Sequence, residues 1–219
     1  MSVPHEPAED ETSAGGREDT CILDAVVCVH FAGANLNRVL ITALESMGWV
    51  ILVPAEVCEE IVRKDAKYPG LRKRWLALER SDRVRVLPAL ELCTAPGRVV
   101  AVLEEIRDLE FEQALQESRD LGECVVVAHG VHLAEQGHAV TLLMDDAGGR
   151  RLADRWRLPH LTIEDVLVVA VHAGCFPTLD DLKQAYQQLQ RFGSGLPDFG
   201  RTPLAEDFRD WSSRGGRES

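Results

Sequence analysis

Carboxylates recur where short apolar runs give way to helical patterns. Asp24 closes the run Cys21-Ile22-Leu23, and Glu56, Glu59 and Glu60 lie in the first turns behind Pro54. Glu123 follows Gly122 at the head of an apolar helical stretch, and Asp145-Asp146 close Leu142-Leu143-Met144. Acids gathered in a low-dielectric cleft repel one another and carry raised pKa values unless a cation compensates them. Three or four hard oxygen donors without His or Cys suit Mg2+ or Mn2+. Such ions grip phosphate oxygens and lower the pKa of a bound water, making a nucleophile for in-line displacement. Most of these acids also have a structural use: Asp120-x-x-Glu123 fits a capping box, and Asp145-Asp146 can N-cap the next helix. Glu59 and Glu60 can sit on a solvated face. Asp24, ending an apolar strand, has no evident structural duty.

Acids so far apart in the chain need elements that bring them together. "TCILD", "WVILVP", "RVRVLP", "AVTLLMDD" and "HLTI" read as strands. They alternate with helical patterns over 35–47, 55–64, 98–116, 122–137 and 148–156, and with two more between 164 and 192. "AVVCVHF" either prolongs the first strand or begins a helix. Residues 98–116 place Val99, Val102, Leu103, Ile106 and Leu109 on one helical face, with acids opposite. Near-continuous apolar strands alternating with helices predict an α/β fold whose parallel sheet is covered on both faces. Ligands of such folds bind where strand ends meet the following helices.

The compact domain is expected over residues 20–192, with 1–19 a disordered acidic tail and 193–219 a flexible extension that Phe199, Phe208 and Trp211 could dock in part. Of the 219 residues, 45 % are hydrophobic, enough to fill a core and to exclude a wholly disordered chain. No apolar stretch reaches the ~18 residues of a membrane span. The acidic start has the opposite character to a secretory signal. Both point to a cytoplasmic protein with no membrane partner. Cys21, Cys28, Cys58, Cys93, Cys124 and Cys175 stand singly, without C-x-x-C spacing, as free thiols do.

The net charge of −12 is unevenly spread. Residues 1–20 carry six acids and one base, and 104–123 eight acids and two bases, whereas 63–85 carry nine bases and three acids. A polyanionic partner is therefore confined to particular surfaces rather than excluded. Arg63, Lys64, Lys67, Lys73 and Arg74 in the basic stretch are the candidates for contact with the phosphates of such a partner. Trp75 among them can stack a base or fill the core; Trp156, between Arg155 and Arg157, poses the same alternative. His129 and His132 lie on one helix with no third ligand placed beside them, and a polar helix edge is their simpler reading.

"ILDAVV", "VPAEVCEEI", "LGECVVVAHG" and "LLMDDAGGRRLADRW", in that order and at these spacings, resemble the PIN-domain family, and in particular the VapC-like ribonucleases of toxin–antitoxin systems. The likeness covers about residues 21–192. It implies a three-layer α/β/α sandwich with a central parallel sheet and a Mg2+- or Mn2+-dependent endoribonuclease hydrolysing RNA phosphodiester bonds. An antitoxin protein and a homodimer are the further partners it implies. Carried over, the catalytic acids are Asp24, Glu60, Glu123 and Asp145. The metal ligands are Asp24, Glu123 and Asp145, with Asp146 alternative or additional, and Glu60 orients water or a ligand. Arg150 or Arg151 would hold a phosphate. The family usually places Thr, Ser or Asn just after its first Asp, where this chain has Ala25 and Val26. That departure favours the alternative, a PIN-like module without turnover that binds RNA or a protein. Phosphoryl-transfer enzymes with a nucleophilic Asp on the first strand fit less well, since the haloacid-dehalogenase type wants an acid where Val26 stands.

Overall fold

Four of the five strands are short aliphatic segments, which are stable only when both faces of the sheet are covered. A computed structural model describes residues 19–193 and 195–216; the tail expected over 1–19 lies outside the described residues except for Asp19. The order is β1 (Thr20–Leu23), α1 (Ala25–Gly33), α2 (Asn37–Ser46), β2 (Val50–Pro54), α3 (Ala55–Arg63), α4 (Leu71–Glu79), β3 (Arg85–Leu87), α5 (Gly97–Arg107), α6 (Phe111–Gln116), α7 (Leu121–Glu135), β4 (Val140–Leu143), α8 (Ala147–Arg155), β5 (His160–Leu161), α9 (Ile163–His172), α10 (Leu179–Gln190) and α11 (Leu204–Ser213).

The strands form one parallel sheet in the order β3-β2-β1-β4-β5. Thr20 stands opposite Val50 on one side and Val140 on the other, and all four residues of β1 are buried. The chain fills one half of the sheet, then crosses to the other, so the strand order reverses between β1 and β4. Their carboxyl ends are tied there by the Asp24 N–H, which donates to the Leu143 carbonyl at 3.0 Å.

α7 is apolar all round and accordingly buried. It packs across β1, β2 and β4, flanked by α5 and α8, while α2 and α9 pack together with β2 and β5. The result is the expected α/β architecture, compatible with a three-layer α/β/α sandwich. Trp75, Tyr186 and Phe31 are its largest fully buried side chains. No helix among the described residues is long and apolar enough to cross a membrane.

Three local details refine the sequence reading. "AVVCVHF" is helix rather than prolonged strand, because Asp24 caps α1 immediately after β1. The single helix expected over 98–116 is broken at Asp108, which adopts left-handed backbone (φ 53°), a conformation Asp tolerates. Glu104 then accepts the Phe111 N–H at 2.9 Å, which turns the chain so that Phe111 and Ala114 are buried. Beyond residue 193, α11 lies against α9 with Leu204 and Phe208 buried, and Phe199 meets the Tyr186 ring edge-on at 5.5 Å.

Candidate active site

The crevice between the carboxyl ends of β1 and β4 lies where the strand order reverses, the ligand position of open α/β sheets. Asp24 opens it and is only 1 % exposed. Its Oδ2 accepts the Val26 N–H at 3.2 Å, so Asp24 does have a structural duty, as N-cap of α1, which strand-end position alone did not reveal. Burial nevertheless raises its carboxyl to about pKa 6; backbone N–H groups oppose the rise and the Glu60 charge adds to it. Glu123, in the first turn of α7, is pushed further, to about 8, by burial and then by the charges of Asp24 and Asp146. The capping box with Asp120 does not form: Asp120 takes left-handed backbone (φ 53°) and its side chain caps nothing.

Glycines allow these acids to approach one another. A Cβ on Gly122 would lie 2.8 Å from Glu60 Oε2 and 3.7 Å from Asp24 Oδ1. A Cβ on Gly148 would lie 2.8 Å from Asp146 Oδ2 and 3.5 Å from Glu123 Oε2. Asp24, Glu60, Glu123 and Asp146, drawn from four segments, therefore gather around two positions that carry no side chain. Glu60 is held by Lys64 Nζ at 2.7 Å, and Asp146 caps α8 by accepting the Gly148 and Gly149 N–H groups. Asp145 turns toward α9 instead, where its Oδ1 accepts the Ile163 N–H at 3.1 Å; its carbonyl accepts from Arg150 Nη1 at 2.6 Å. Glu59 is solvated beside Arg63, and Glu56 accepts the Leu90 N–H at 2.6 Å, so neither joins the cluster.

As placed, no three His, Cys, Asp or Glu among the described residues form a group that could hold a metal ion. Caps engage Asp24 and Asp146, and Lys64 engages Glu60. In kind, however, the donors suit a hard divalent cation: they are all oxygens, the glycines leave room beside them, and the two carboxyls that burial raises would ionise more readily beside a cation.

Of the residues expected at RNA, Lys64, Lys67 and Arg150 line a cavity of about 670 Å3 that also reaches Asp145, Asp146 and His30. Arg63 and Lys73 are exposed elsewhere, and Arg151 is exposed on α8. Arg74 is engaged structurally, its Nε donating to the Ala32 carbonyl at 2.6 Å. Trp75 is fully buried, which decides for core over base stacking. His30 is buried and its Nδ1 bonds the Leu189 carbonyl at 2.8 Å; burial lowers its pKa. His129 and His132 line a separate, mostly apolar cleft of about 470 Å3, where burial brings His129 down to about 4. Sequence reasoning missed Tyr68, Arg191 and Phe192 in the larger cavity's wall. Tyr68 stood in view inside the basic stretch, but nothing local marks Arg191 and Phe192, which arrive from the end of α10. No family model matches the chain, and no curated protein matches it at a significant level.

Proposed function

We propose that the chain is a PIN-like, Mg2+- or Mn2+-dependent endoribonuclease. The observation that carries this reading is the gathering of Asp24, Glu60, Glu123 and Asp146 at the switch point of a parallel sheet, beside a cation-lined cavity. Asp24, Glu123 and Asp146 would hold the ion. When bound, it supplies a Lewis acid to the phosphate and lowers the pKa of a water. Burial keeps a proton on Glu123 near neutrality, and Glu123 would give that proton up on serving as a ligand. Glu60, steadied by Lys64, orients the attacking water. Asp145, bonded to Ile163, fixes the turn that presents Asp146. Lys64 and Arg150 hold the phosphates on either side of the bond that breaks. An antitoxin-type inhibitor and a homodimer belong to the same proposal.

The second reading, a PIN-like binding module, is favoured by Ala25 and Val26 after Asp24 and by the engagement of Asp24, Glu60 and Asp146 in caps and an ion pair. Cleavage of a mixed RNA pool by the full chain separates the two. The nuclease cuts with Mg2+ or Mn2+, stops in EDTA, and loses cutting in Glu123→Gln. A folded protein that binds RNA and never cuts is the module.

A further inference from the structure

The apolar cleft of about 470 Å3 shares no residue with the cavity beside the acids. Its size falls within the roughly 300–1,000 Å3 of small-molecule sites. The end of β3 and the loop beyond it form one wall with Leu87, Leu90, Ala95 and Pro96, and α7 forms the other with His129 and Leu133. That loop is held in place: Glu56 Oε1 accepts the Leu90 N–H at 2.6 Å, and the Glu91 carbonyl accepts the Thr94 and Ala95 N–H groups at 3.0 and 2.7 Å. His129 is only 6 % exposed, and its Nε2 is buried without a hydrogen-bond partner among the described residues. Burial, and then His132 beside it, bring its pKa down to about 4, so the ring is uncharged near neutrality. Buried polar atoms are nearly always paired, and one left unpaired in an apolar wall favours a ligand that supplies its partner.

We propose that this cleft binds a neutral, mostly apolar small molecule carrying a hydroxyl, its body against Leu87, Leu90 and Leu133 and its hydroxyl on the His129 imidazole. A neutral imidazole has one donor and one acceptor nitrogen, and a hydroxyl answers either. Charge narrows the class further. Among the described residues no Lys or Arg lines the cleft, so an anion finds no counter-ion there. A cation finds only Glu91, which is exposed, and would have to leave water for apolar walls and an uncharged ring. A docked helix fits poorly, since its anchors span i to i+7, about 10 Å of axis. α7 lends the cleft only the stretch from His129 to Leu133, about 6 Å. No residue of the acidic cluster takes part, so the site stands or falls separately from RNA cleavage.

The test is equilibrium binding of 2-naphthol, a hydroxyl on an apolar body, to the full chain near neutral pH, read by its fluorescence. Naphthalene, which lacks the hydroxyl, and 2-naphthoate, which carries a charge instead, are the comparisons. The naphthol should bind about ten-fold tighter than naphthalene, the worth of one hydrogen bond to a buried group, and about ten-fold or more tighter than the anion. His129→Phe keeps a ring in the wall and removes both nitrogens. It should leave naphthalene bound and bring the naphthol down to the same affinity. Ala95→Trp, on the loop, should block binding of both, which locates them in this cleft. The three probes on the unaltered chain already decide the ligand class, whether or not the variants fold. Absence of naphthol binding up to its solubility overturns the proposal, as does naphthalene binding equally well. A preference for the naphthol that survives His129→Phe, or an affinity unchanged in Ala95→Trp, also overturns it. Naphthoate bound as tightly as the naphthol overturns it in favour of an anion site.

Discussion

Replacing Asp24 by Asn should stabilise the metal-free protein at alkaline pH and leave it nearly unchanged at acid pH. Asn is as good an N-cap as Asp, and its amide oxygen can accept the Val26 N–H, so α1 keeps its start. What disappears is a fully buried negative charge. Raising that carboxyl from 3.8 to about 6 costs the folded chain about 3 kcal/mol once both states are ionised. The sign follows from proton binding. Below about pH 4 the group is protonated folded and unfolded, and nothing is lost. Between there and about 6 the unfolded chain ionises first, so stability falls as pH rises; above that the loss is constant. The new amide N–H2 needs an acceptor in the crevice, which trims the gain to about 1–3 kcal/mol. Urea denaturation of both proteins in EDTA, at pH 4 and pH 8, measures it. The reasoning is refuted if Asn destabilises at pH 8, or if the difference between the proteins does not change with pH.

Other outcomes follow from single contacts. Gly122→Ala should push Glu60 aside, because its Cβ would lie 2.8 Å from Oε2. RNA cleavage should fall about ten-fold or more, while melting shows a stability change of about 1 kcal/mol or less, since Ala is the better helix former. Trp75→Ala should cost about 3–5 kcal/mol in urea, whereas Trp75→Phe should leave RNA affinity unchanged, as expected of a core residue. Arg150→Gln should weaken RNA binding and reduce its slope against salt by about one, read from affinity at several salt concentrations. Phe208→Ala should release α11 from α9, seen as lost amide-exchange protection over 204–213 with cleavage retained.

The sheet was legible because aliphatic strands buried on both faces leave an unmistakable pattern, and β1, β2 and β4 fall where that pattern puts them. Helix ends were harder. The break at Asp108 contains no Gly or Pro; it depends on a left-handed Asp and on a bond from Glu104 that only the folded turn reveals. At the site, strand ends and helix starts pointed to Asp24, Glu123 and the Asp145-Asp146 pair, and only the family resemblance singled out Glu60 from Glu59; neither said which member of the pair faces the crevice. That is decided by packing: Asp145 is drawn to the start of α9, eighteen residues on, leaving Asp146 beside Glu123. Likewise a capping box and an approach to other acids look identical for Glu123 in sequence, and the backbone at Asp120 separates them. Phe192 and Arg191 carry no local signal, since their place beside Tyr68 exists only once α10 has returned to α1.

The gathering of the acids as a divalent-cation site is tested most directly by calorimetric titration of Mn2+ into the full chain, in two buffers of different ionisation enthalpy. With Glu123 near pKa 8, an ion bound at pH 7 must displace its proton, so about one proton should be released per Mn2+, falling toward zero at pH 9. Glu123→Gln should bind far more weakly and release none. Mn2+ that binds wild type and Glu123→Gln alike, or binds with no proton released at pH 7, would contradict the site.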